Sequence, residues 1–300
     1  MIYNFLVIPN PIKFVSKPEY FFHPVQVFRR LAHIGKPIPT QATIRLPWGA
    51  AIQVHTGENV GSDIYHYGIF DKIVPEAIWR LLDNGETAMD VGANIGQNTS
   101  VMAHRTGTAG LVYAFEPHPQ TFLQLKANHA LWKGRMTNGI QLENLGLGAK
   151  QADAFLYTDS PFLSGSALHD QASQTKKSFK VHVETLDIFV KGQIGVCKID
   201  VEGHELKVLI GAEEALSRHA IRDIIFEDFQ PKPSPVTEFL RLHGFTVFEL
   251  HSTWLKPRLI PLVKNSAAKP GFSFNFLATL DSARAVNRFR LPGWRCLLNL

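Results

Sequence analysis

Three carboxylates that close three apolar runs carry the clearest chemistry in this chain. Thr87-Ala88-Met89 ends in Asp90 and passes into Val91-Gly92-Ala93-Asn94-Ile95-Gly96. Leu111-Val112-Tyr113-Ala114-Phe115 ends in Glu116, and Ile194-Gly195-Val196-Cys197-Lys198-Ile199 ends in Asp200. Ligands of open α/β sheets lie beyond the carboxyl ends of the strands, so Asp90, Glu116 and Asp200 are expected to face one crevice. An acid about 20 residues beyond a glycine turn is where a ribose diol is held, and Glu116 stands at that offset from Gly96.

The glycine spacing selects among nucleotide-like ligands. A dinucleotide turn reads G-x-G-x-x-G, because a pyrophosphate rests on bare backbone at a helix N-terminus. Here the turn reads Gly92-x-x-x-Gly96, with Asn94 where the middle glycine would stand. That side chain leaves less room for a pyrophosphate. S-adenosylmethionine carries no phosphate. Asp90 suits its ammonium end, directly or through water, and Gly92 and Gly96 let the backbone approach. An ordinary strand-turn-helix corner would carry the same glycines; the offset of Glu116 favours the nucleoside reading.

Taken in order, Asp90-Val91-Gly92-Ala93-Asn94-Ile95-Gly96, Ala114-Phe115-Glu116-Pro117, Glu184-Thr185-Leu186-Asp187 and Lys198-Ile199-Asp200-Val201-Glu202-Gly203-His204-Glu205 resemble the FkbM family of S-adenosylmethionine-dependent methyltransferases. The Ser164-Gly165-Ser166-Ala167-Leu168 patch falls where that family has a Gly/Ser-rich turn. The resemblance covers about residues 60–280 and is specific as an ordered set. It implies an α/β fold: a doubly wound, Rossmann-like, seven-strand methyltransferase sheet. It also implies O-methylation, commonly of sugar-containing or polyketide-type molecules. The expected organisation is an N-terminal extension over 1–58 (arm plus hairpin), the methyltransferase domain over 59–280 and a C-terminal tail over 281–300.

The elements that must position these groups follow from periodicity. Residues 42–46 and 51–54 alternate around Pro47-Trp48-Gly49 and predict a hairpin. Residues 64–70 precede a helix over 75–82, with Pro75 suited to its first turn. The resemblance implies that this segment covers the cofactor, which makes Tyr65 and Tyr67 lid candidates; plain aromatic packing explains them equally well. A helix is expected over 119–132, with Phe122, Leu125 and His129 near one face. Residues 140–148 read as the third strand and its exit, which places Asn144 and Leu145 beside the adenine. Residues 155–157 and 179–183 read as an added antiparallel pair around a polar loop, 158–178, long enough to serve as a substrate loop. Helix 206–219 and strand 223–227 follow, then helix 235–242 and strands 245–250 and 272–278, the last two as an antiparallel edge pair. Phe28-Arg29-Arg30-Leu31 reads as one face of a short helix, either in a packing arm or as a contact for a membrane or partner.

An alcohol is a poor nucleophile at neutral pH, so a general base within hydrogen-bond reach helps. Asp200, Glu202, His204 and Glu227 are the candidates. Asp200 ranks first, at the strand tip nearest the transferred group. His204 has the best-suited intrinsic pKa but stands beside Glu205 at a helix start, where histidine is more often structural. Glu202 serves equally well as a cap. Lys198 alternates with Asp200 and is expected to share its face. Asp200, Glu202 and Glu227 are hard ligands that Mg²⁺ or Ca²⁺ would accept, but the spacing is not diagnostic and no metal is assigned.

Composition bounds the rest. An apolar share of 45% with 19% charged residues is globular, and a formal charge of +5 indicates neither a membrane nor an anionic partner. No apolar run reaches the roughly 18 residues that cross a bilayer, and residues 1–8 make a poor signal peptide. Cys197 and Cys296 are far apart, and Cys197 reads as a small core residue, so a reducing cytoplasmic compartment is expected. Paired-cysteine and H-E-x-x-H motifs, a phosphate loop and basic helices with interleaved aromatics are all missing, which argues against zinc, an NTPase and a nucleic-acid substrate. The reading is an S-adenosylmethionine-dependent O-methyltransferase acting on a hydroxyl of a glycan, glycolipid or glycosylated metabolite, with the oligomeric state open. The alternatives are an NAD-dependent oxidoreductase and a non-catalytic module that keeps the nucleoside pocket.

Overall fold

The computed structural model describes residues 18–22, 37–132, 139–157, 167–169, 178–262 and 274–299. The arm residues 28–31 and the Ser164-Gly165-Ser166 turn lie outside the described residues.

Among the described residues the main sheet has eight strands. In chain order they are β3 (Thr87–Val91), β4 (Leu111–Phe115), β5 (Ile140–Glu143), β10 (Ile194–Ile199), β11 (Ile221–Glu227), β12 (Thr246–Ser252), β13 (Pro257–Pro261) and β14 (Asn275–Thr279). Their spatial order is β13-β12-β14-β11-β10-β3-β4-β5. β5, β4, β3, β10 and β11 are mutually parallel. The winding reverses between β3 and β10, and a reversal of strand order in a parallel sheet opens a crevice at the strand ends. Asp90 and Asp200 stand at that point. β10 is buried along its whole length, as a strand covered on both faces should be.

The doubly wound seven-strand arrangement is present, with one strand added. β14 inserts between β11 and β12, antiparallel to both, and β13 pairs antiparallel with β12 at the edge. The two prolines of Pro257-Arg258-Leu259-Ile260-Pro261 hid that strand in the sequence. Proline lacks the N–H a central strand must donate, but an edge strand does not need it.

The expected third strand also divides. β5 ends at Glu143, and β6 (Gly146–Leu147) joins a second sheet with β9 (Ser178–Glu184), β7 (Ala152–Tyr157) and β8 (Ala167–His169). β7 and β9 form the expected antiparallel pair, with Phe155 opposite Lys180. The helical run 206–219 breaks into α6 (Glu205–Ile210) and α7 (Glu213–Ser217). At the break Gly211 packs so closely that a Cβ would stand 2.0 Å from the Gly148 carbonyl.

The 41–55 hairpin forms as β1 (Gln41–Arg45) and β2 (Ala51–His55). It docks on α4 (Gln97–Thr106) and α5 (Pro119–Leu131). Trp48 Nε1 donates to Ser100 Oγ at 2.9 Å, and Trp132 Nε1 donates to the Ala51 carbonyl at 3.0 Å. Asn128 Oδ1 accepts from Gln53 N at 2.7 Å, while its Nδ2 donates to the Ile95 carbonyl at 2.9 Å. Trp48 is nearly inaccessible, and burying a side chain of that size contributes about 1.5–3 kcal/mol. Of the segment 64–70, residues 64–67 form the last turn of α2 (Asn59–Tyr67), which ends at Gly68 in the left-handed region, and 68–70 lie beyond it.

α3 (Ile73–Leu81) is buried on every face, and Pro75 lies in its first turn. It therefore buries an ion pair: Arg80 Nε donates to Glu76 Oε1 at 2.6 Å, with both side chains inaccessible. Glu76 also accepts from the backbone N–H groups of Arg295 and Cys296, at 3.0 and 2.8 Å. Arg80 donates to the carbonyls of Arg288, Leu291 and Gly293. This pair thus fastens α9 (Ser282–Arg290) and α10 (Arg295–Leu298) to the sheet. Removing one partner of such a pair strands the other charge, so Glu76→Ala should cost about 3–5 kcal/mol in urea-unfolding free energy. A loss below about 1 kcal/mol would show that the C-terminal helices are held by apolar packing instead.

Candidate active site

At the switch point the strand ends enclose a cavity of about 370 Å³. Its wall includes Gly92, Asn94, Glu116, Leu145, Asp200 and Glu202, which the sequence had scattered over more than a hundred residues.

The turn after β3 is shaped by close approach. Gly92 has φ +78°, and a Cβ there would stand 1.9 Å from the Asp200 carbonyl oxygen. No larger residue can hold β3 against β10 in this way. Asn94 is also left-handed, at φ +50°, a region asparagine tolerates better than other side chains. Its side chain turns back to accept from Ile95 N at 2.7 Å. Gly96 starts α4 behind the wall, where it packs against Leu125.

Glu116, at the tip of β4, is buried at the floor of the cavity. Its Oε2 accepts from Asn94 N and its Oε1 from His118 N, both at 2.9 Å. Burial pushes its carboxyl up to about 7, against the pull of those two amides and of Lys198. An ionised carboxylate offers about four acceptor sites, so two remain for hydroxyl donors in the cavity.

Asp90 stands one layer deeper and does not line the cavity. Its Oδ2 accepts from Thr99 Oγ1 at 2.6 Å, and its Oδ1 lies 3.3 Å from Lys198 Nζ. The Lys198 ammonium also donates to the Gly92 carbonyl at 2.7 Å and lies 3.4 Å from Asp200 Oδ2. Burial pulls this ammonium down, but Asp90 and Asp200 outweigh it and leave it above the ordinary lysine range. Lys198 and the turn above it therefore separate Asp90 from the cavity. Asp200 is the half-open end of the same chain of charges, with 41% of its side chain exposed.

The 200–205 turn is ordered by Glu205, whose Oε1 accepts from Val201 N at 3.2 Å and from Gly203 N at 3.1 Å. Glu205, not Glu202, thus supports the start of α6. Glu202 is left-handed at φ +53° and exposed at the rim, its carboxyl raised by partial desolvation and by Asp200. His204 is not in the wall; its ring stands on the Gly148 side, about 3.9 Å from where a Cβ on that glycine would sit. Asn144 is likewise outside the wall and acts on the backbone, donating to the Glu116 carbonyl at 2.8 Å and the Pro117 carbonyl at 3.2 Å.

Several lining residues carried no sequence signal. Gln97 clamps both backbone groups of Phe70, accepting from its N–H at 2.7 Å and donating to its carbonyl at 2.9 Å. That clamp sets Asp71 at the cavity, where Asn275 Nδ2 donates to Asp71 Oδ2 at 2.8 Å. From α2 it is Asn59 and Val60 that line the cavity, while Tyr65 and Tyr67 do not. Glu227, at the tip of β11, is pushed up to about 8 by burial and by Asp200, Glu202, Asp71 and Glu205. Among the described residues, the buried oxygens of Asn98 and Thr121, both in the wall, find no hydrogen-bond partner. Among the described residues no three His, Cys, Asp or Glu side chains converge as metal ligands, and no helix is long and apolar enough to cross a membrane. Cys197 is buried in β10, and burial pushes its thiol up to about 12, so it stays protonated.

Lys198 is the shared partner of these groups. Lys198→Met should cost about 3–5 kcal/mol in denaturant-derived stability, because it strands Asp90 without a counter-charge. Adding Asp90→Asn should recover part of that loss. A double variant as unstable as the sum of the singles would show that the two residues act independently.

The profile of the Methyltransferase FkbM domain matches residues 90–247, which takes in the end of β3, β4, β10 and β11, while Asn59, Val60, Phe70, Asp71 and Asn275 of the cavity wall lie outside it. The 31-O-demethyl-FK506 methyltransferase FkbM of Streptomyces tacrolimicus is 28% identical over 241 residues, covering 68% of this chain and 89% of that protein. The hexuronic acid methyltransferase AglP of Haloferax volcanii is 28% identical over 160 residues, covering 47% of this chain and 62% of its own length. The crystal structure of methyltransferase FkbM from Methylobacillus flagellatus superposes with a TM-score of 0.45 at 16% identity, covering 67% of this chain and 47% of that one. With its profile matched over more than half of the 300 residues, the chain belongs to the FkbM methyltransferase family.

Proposed function

We propose that this chain is an S-adenosylmethionine-dependent O-methyltransferase, and that the acceptor is a hydroxyl on a sugar-containing molecule. The observation that carries the cofactor reading is Glu116. It is a buried carboxylate fixed by two backbone amides at the floor of the switch-point cavity, with acceptor capacity left over.

The wall fits a nucleoside with an amino-acid tail. Glu116 would take the ribose diol. The unpartnered oxygens of Asn98 and Thr121 are acceptors that a bound ligand would satisfy, and a buried acceptor left unsatisfied is costly. Leu145, Leu147 and Phe115 supply apolar wall for a base. The cofactor supplies a methyl group on a sulfonium, a strong electrophile that asks the protein mainly for alignment.

This chain's residues would do the remaining work. Asp200 is the carboxylate in the wall that Lys198 holds in place, so it is placed to accept the acceptor hydroxyl's proton. Glu227, raised to about 8, keeps its own proton near neutral pH and is better suited to donate a hydrogen bond. The acceptor class rests on the relatives: one is named for a hexuronic acid and another for a hydroxyl of FK506.

S-Adenosylhomocysteine titrated by calorimetry tests the site. Wild type should bind, and Glu116→Ala should lose about 1.5–3 kcal/mol, the scale of charge-assisted hydrogen bonds. Binding of NAD in place of the nucleoside would overturn the reading. The pH dependence has a definite sign. Hydroxyl donors favour the ionised carboxylate, so below about 7 the nucleoside must bind against a protonated Glu116. Affinity should rise from pH 6 to pH 8, and Glu116→Ala should flatten the profile. Asp200→Asn should keep most of the nucleoside affinity while turnover on a hydroxylated acceptor falls by about a hundredfold or more. Collapse of binding in that variant would place Asp200 with the cofactor.

A further inference from the structure

Beyond the groups assigned to the nucleoside, the ends of β11 and β14 give the cavity mouth a different character. Glu227 and Asn275 face each other in register across these strands, and both line the cavity. Just outside, Phe229 is 59% exposed and Phe274 47%. Their ring centroids stand 4.6 Å apart, with the planes inclined at 38°. Phe229 is itself part of the cavity wall. Two adjacent aromatic rings left in water beside convergent polar groups mark a binding surface.

This aromatic step is built, and its anchor is Asp228. That side chain is buried between Glu227 and Phe229 in sequence. It accepts from Gln230 N at 2.9 Å, pairs with Lys232 Nζ at 2.8 Å and accepts from Ser234 Oγ. The Asp228 N–H donates to the Phe274 carbonyl at 2.8 Å, which ties the two aromatic segments together. Ser234 then opens α8 (Pro235–Leu242) with a reciprocal capping box to Thr237. The rings are thus held out by a fixed turn.

Charge at this mouth is one-sided. Among the described residues of the wall, Asp71, Asp200 and Glu202 are the acidic groups around this mouth, Glu227 beside them keeps its proton near neutral pH, and Lys198 is the lysine, already engaged by Asp90 and Asp200. No arginine lines the cavity among these residues. A carboxylate on an acceptor would meet like charge without a counter-ion, a juxtaposition that rejects partners.

We propose that the Phe229–Phe274 step, together with Glu227, Asn275 and Asp71, is the acceptor subsite and takes an uncharged sugar ring while rejecting uronic acids. This rests on the nucleoside-and-glycan reading above. The C–H face of a pyranose carries positive polarisation and lies well on the negative face of an aromatic ring. Hydroxyls at its rim donate to the Asp71 carboxylate, accept from the Glu227 carboxyl and exchange hydrogen bonds with the Asn275 carboxamide.

The test uses the full chain with S-adenosylhomocysteine, whose binding is measured first by calorimetry. Methyl glucoside, galactoside and mannoside are then titrated by ligand-observed NMR beside the methyl glycosides of the corresponding uronic acids, with the carboxylate free. At least one neutral glycoside should bind about tenfold or more tightly than its uronate. Phe229→Ala should weaken it about threefold to tenfold while nucleoside affinity stays unchanged, and Phe229→Tyr should retain it. Asp71→Asn with Glu202→Gln should narrow the neutral-over-uronate ratio. With the nucleoside bound, equal or tighter uronate binding, no glycoside binding, or an indifferent Phe229→Ala each overturns the subsite and leaves the cofactor reading standing. Failure of the nucleoside to bind removes the cofactor reading and this inference with it.

Discussion

A lysine ammonium buried in the middle of a parallel sheet is the constraint around which the crevice is arranged. A buried cation is tolerated only if charges and carbonyls surround it. Lys198 finds Asp90 on β3, the Gly92 carbonyl in the turn and Asp200 at the end of its own strand. Those partners come from both sides of the point where the strand order reverses. The ammonium therefore fixes the glycine turn relative to Asp200, and with it the opening through which a ligand enters. Gly92 completes the arrangement by bringing bare backbone against the Asp200 carbonyl.

The same device recurs around the cavity on a smaller scale. Each irregular segment that reaches the site is held by a polar side chain bonded to main chain. Gln97 holds Phe70, Glu116 holds Asn94 and His118, Glu205 holds Val201 and Gly203, and Asp228 holds Gln230. Loops carry chemistry well only when their supports are rigid. Side-chain-to-backbone bonds provide that rigidity without filling the space a ligand needs. They also explain why several acids here serve as structural acceptors first and are available to a ligand only with their remaining lone pairs.

Much of the fold was legible because its signals are local. Apolar runs ending in acids marked β3, β4, β10 and β11, alternation around Pro47-Trp48-Gly49 marked the hairpin, and Phe155 and Lys180 fell on the expected antiparallel pair. Signals that depend on distant partners were lost. The break at Gly211 comes from the approach of Gly148, and the strand Pro257–Pro261 reads as non-strand until its edge position is known. Among the site residues, Gly92, Asn94, Glu116, Leu145, Asp200 and Glu202 do line one cavity, whereas Asp90, Gly96, Asn144 and His204 stand behind or beside it. Sequence position at a strand end locates a residue along the sheet but does not say which way the side chain points once the next turn is made.

The sequence by itself determined the sheet's parallel centre, the glycine turn, the position of Glu116 at the tip of the next strand and the family to which these motifs belong. Periodicity and short spacings are properties of neighbouring residues, so no tertiary information is needed to read them. Only the tertiary structure decided that Asp90 is a buried counter-ion, that Asp71 and Asn275 meet across about two hundred residues of chain and that Phe229 and Phe274 stand together at the mouth. Burial, ion pairing and convergence arise from packing between elements remote in sequence, and they fix which carboxylates a ligand meets and which the fold keeps for itself.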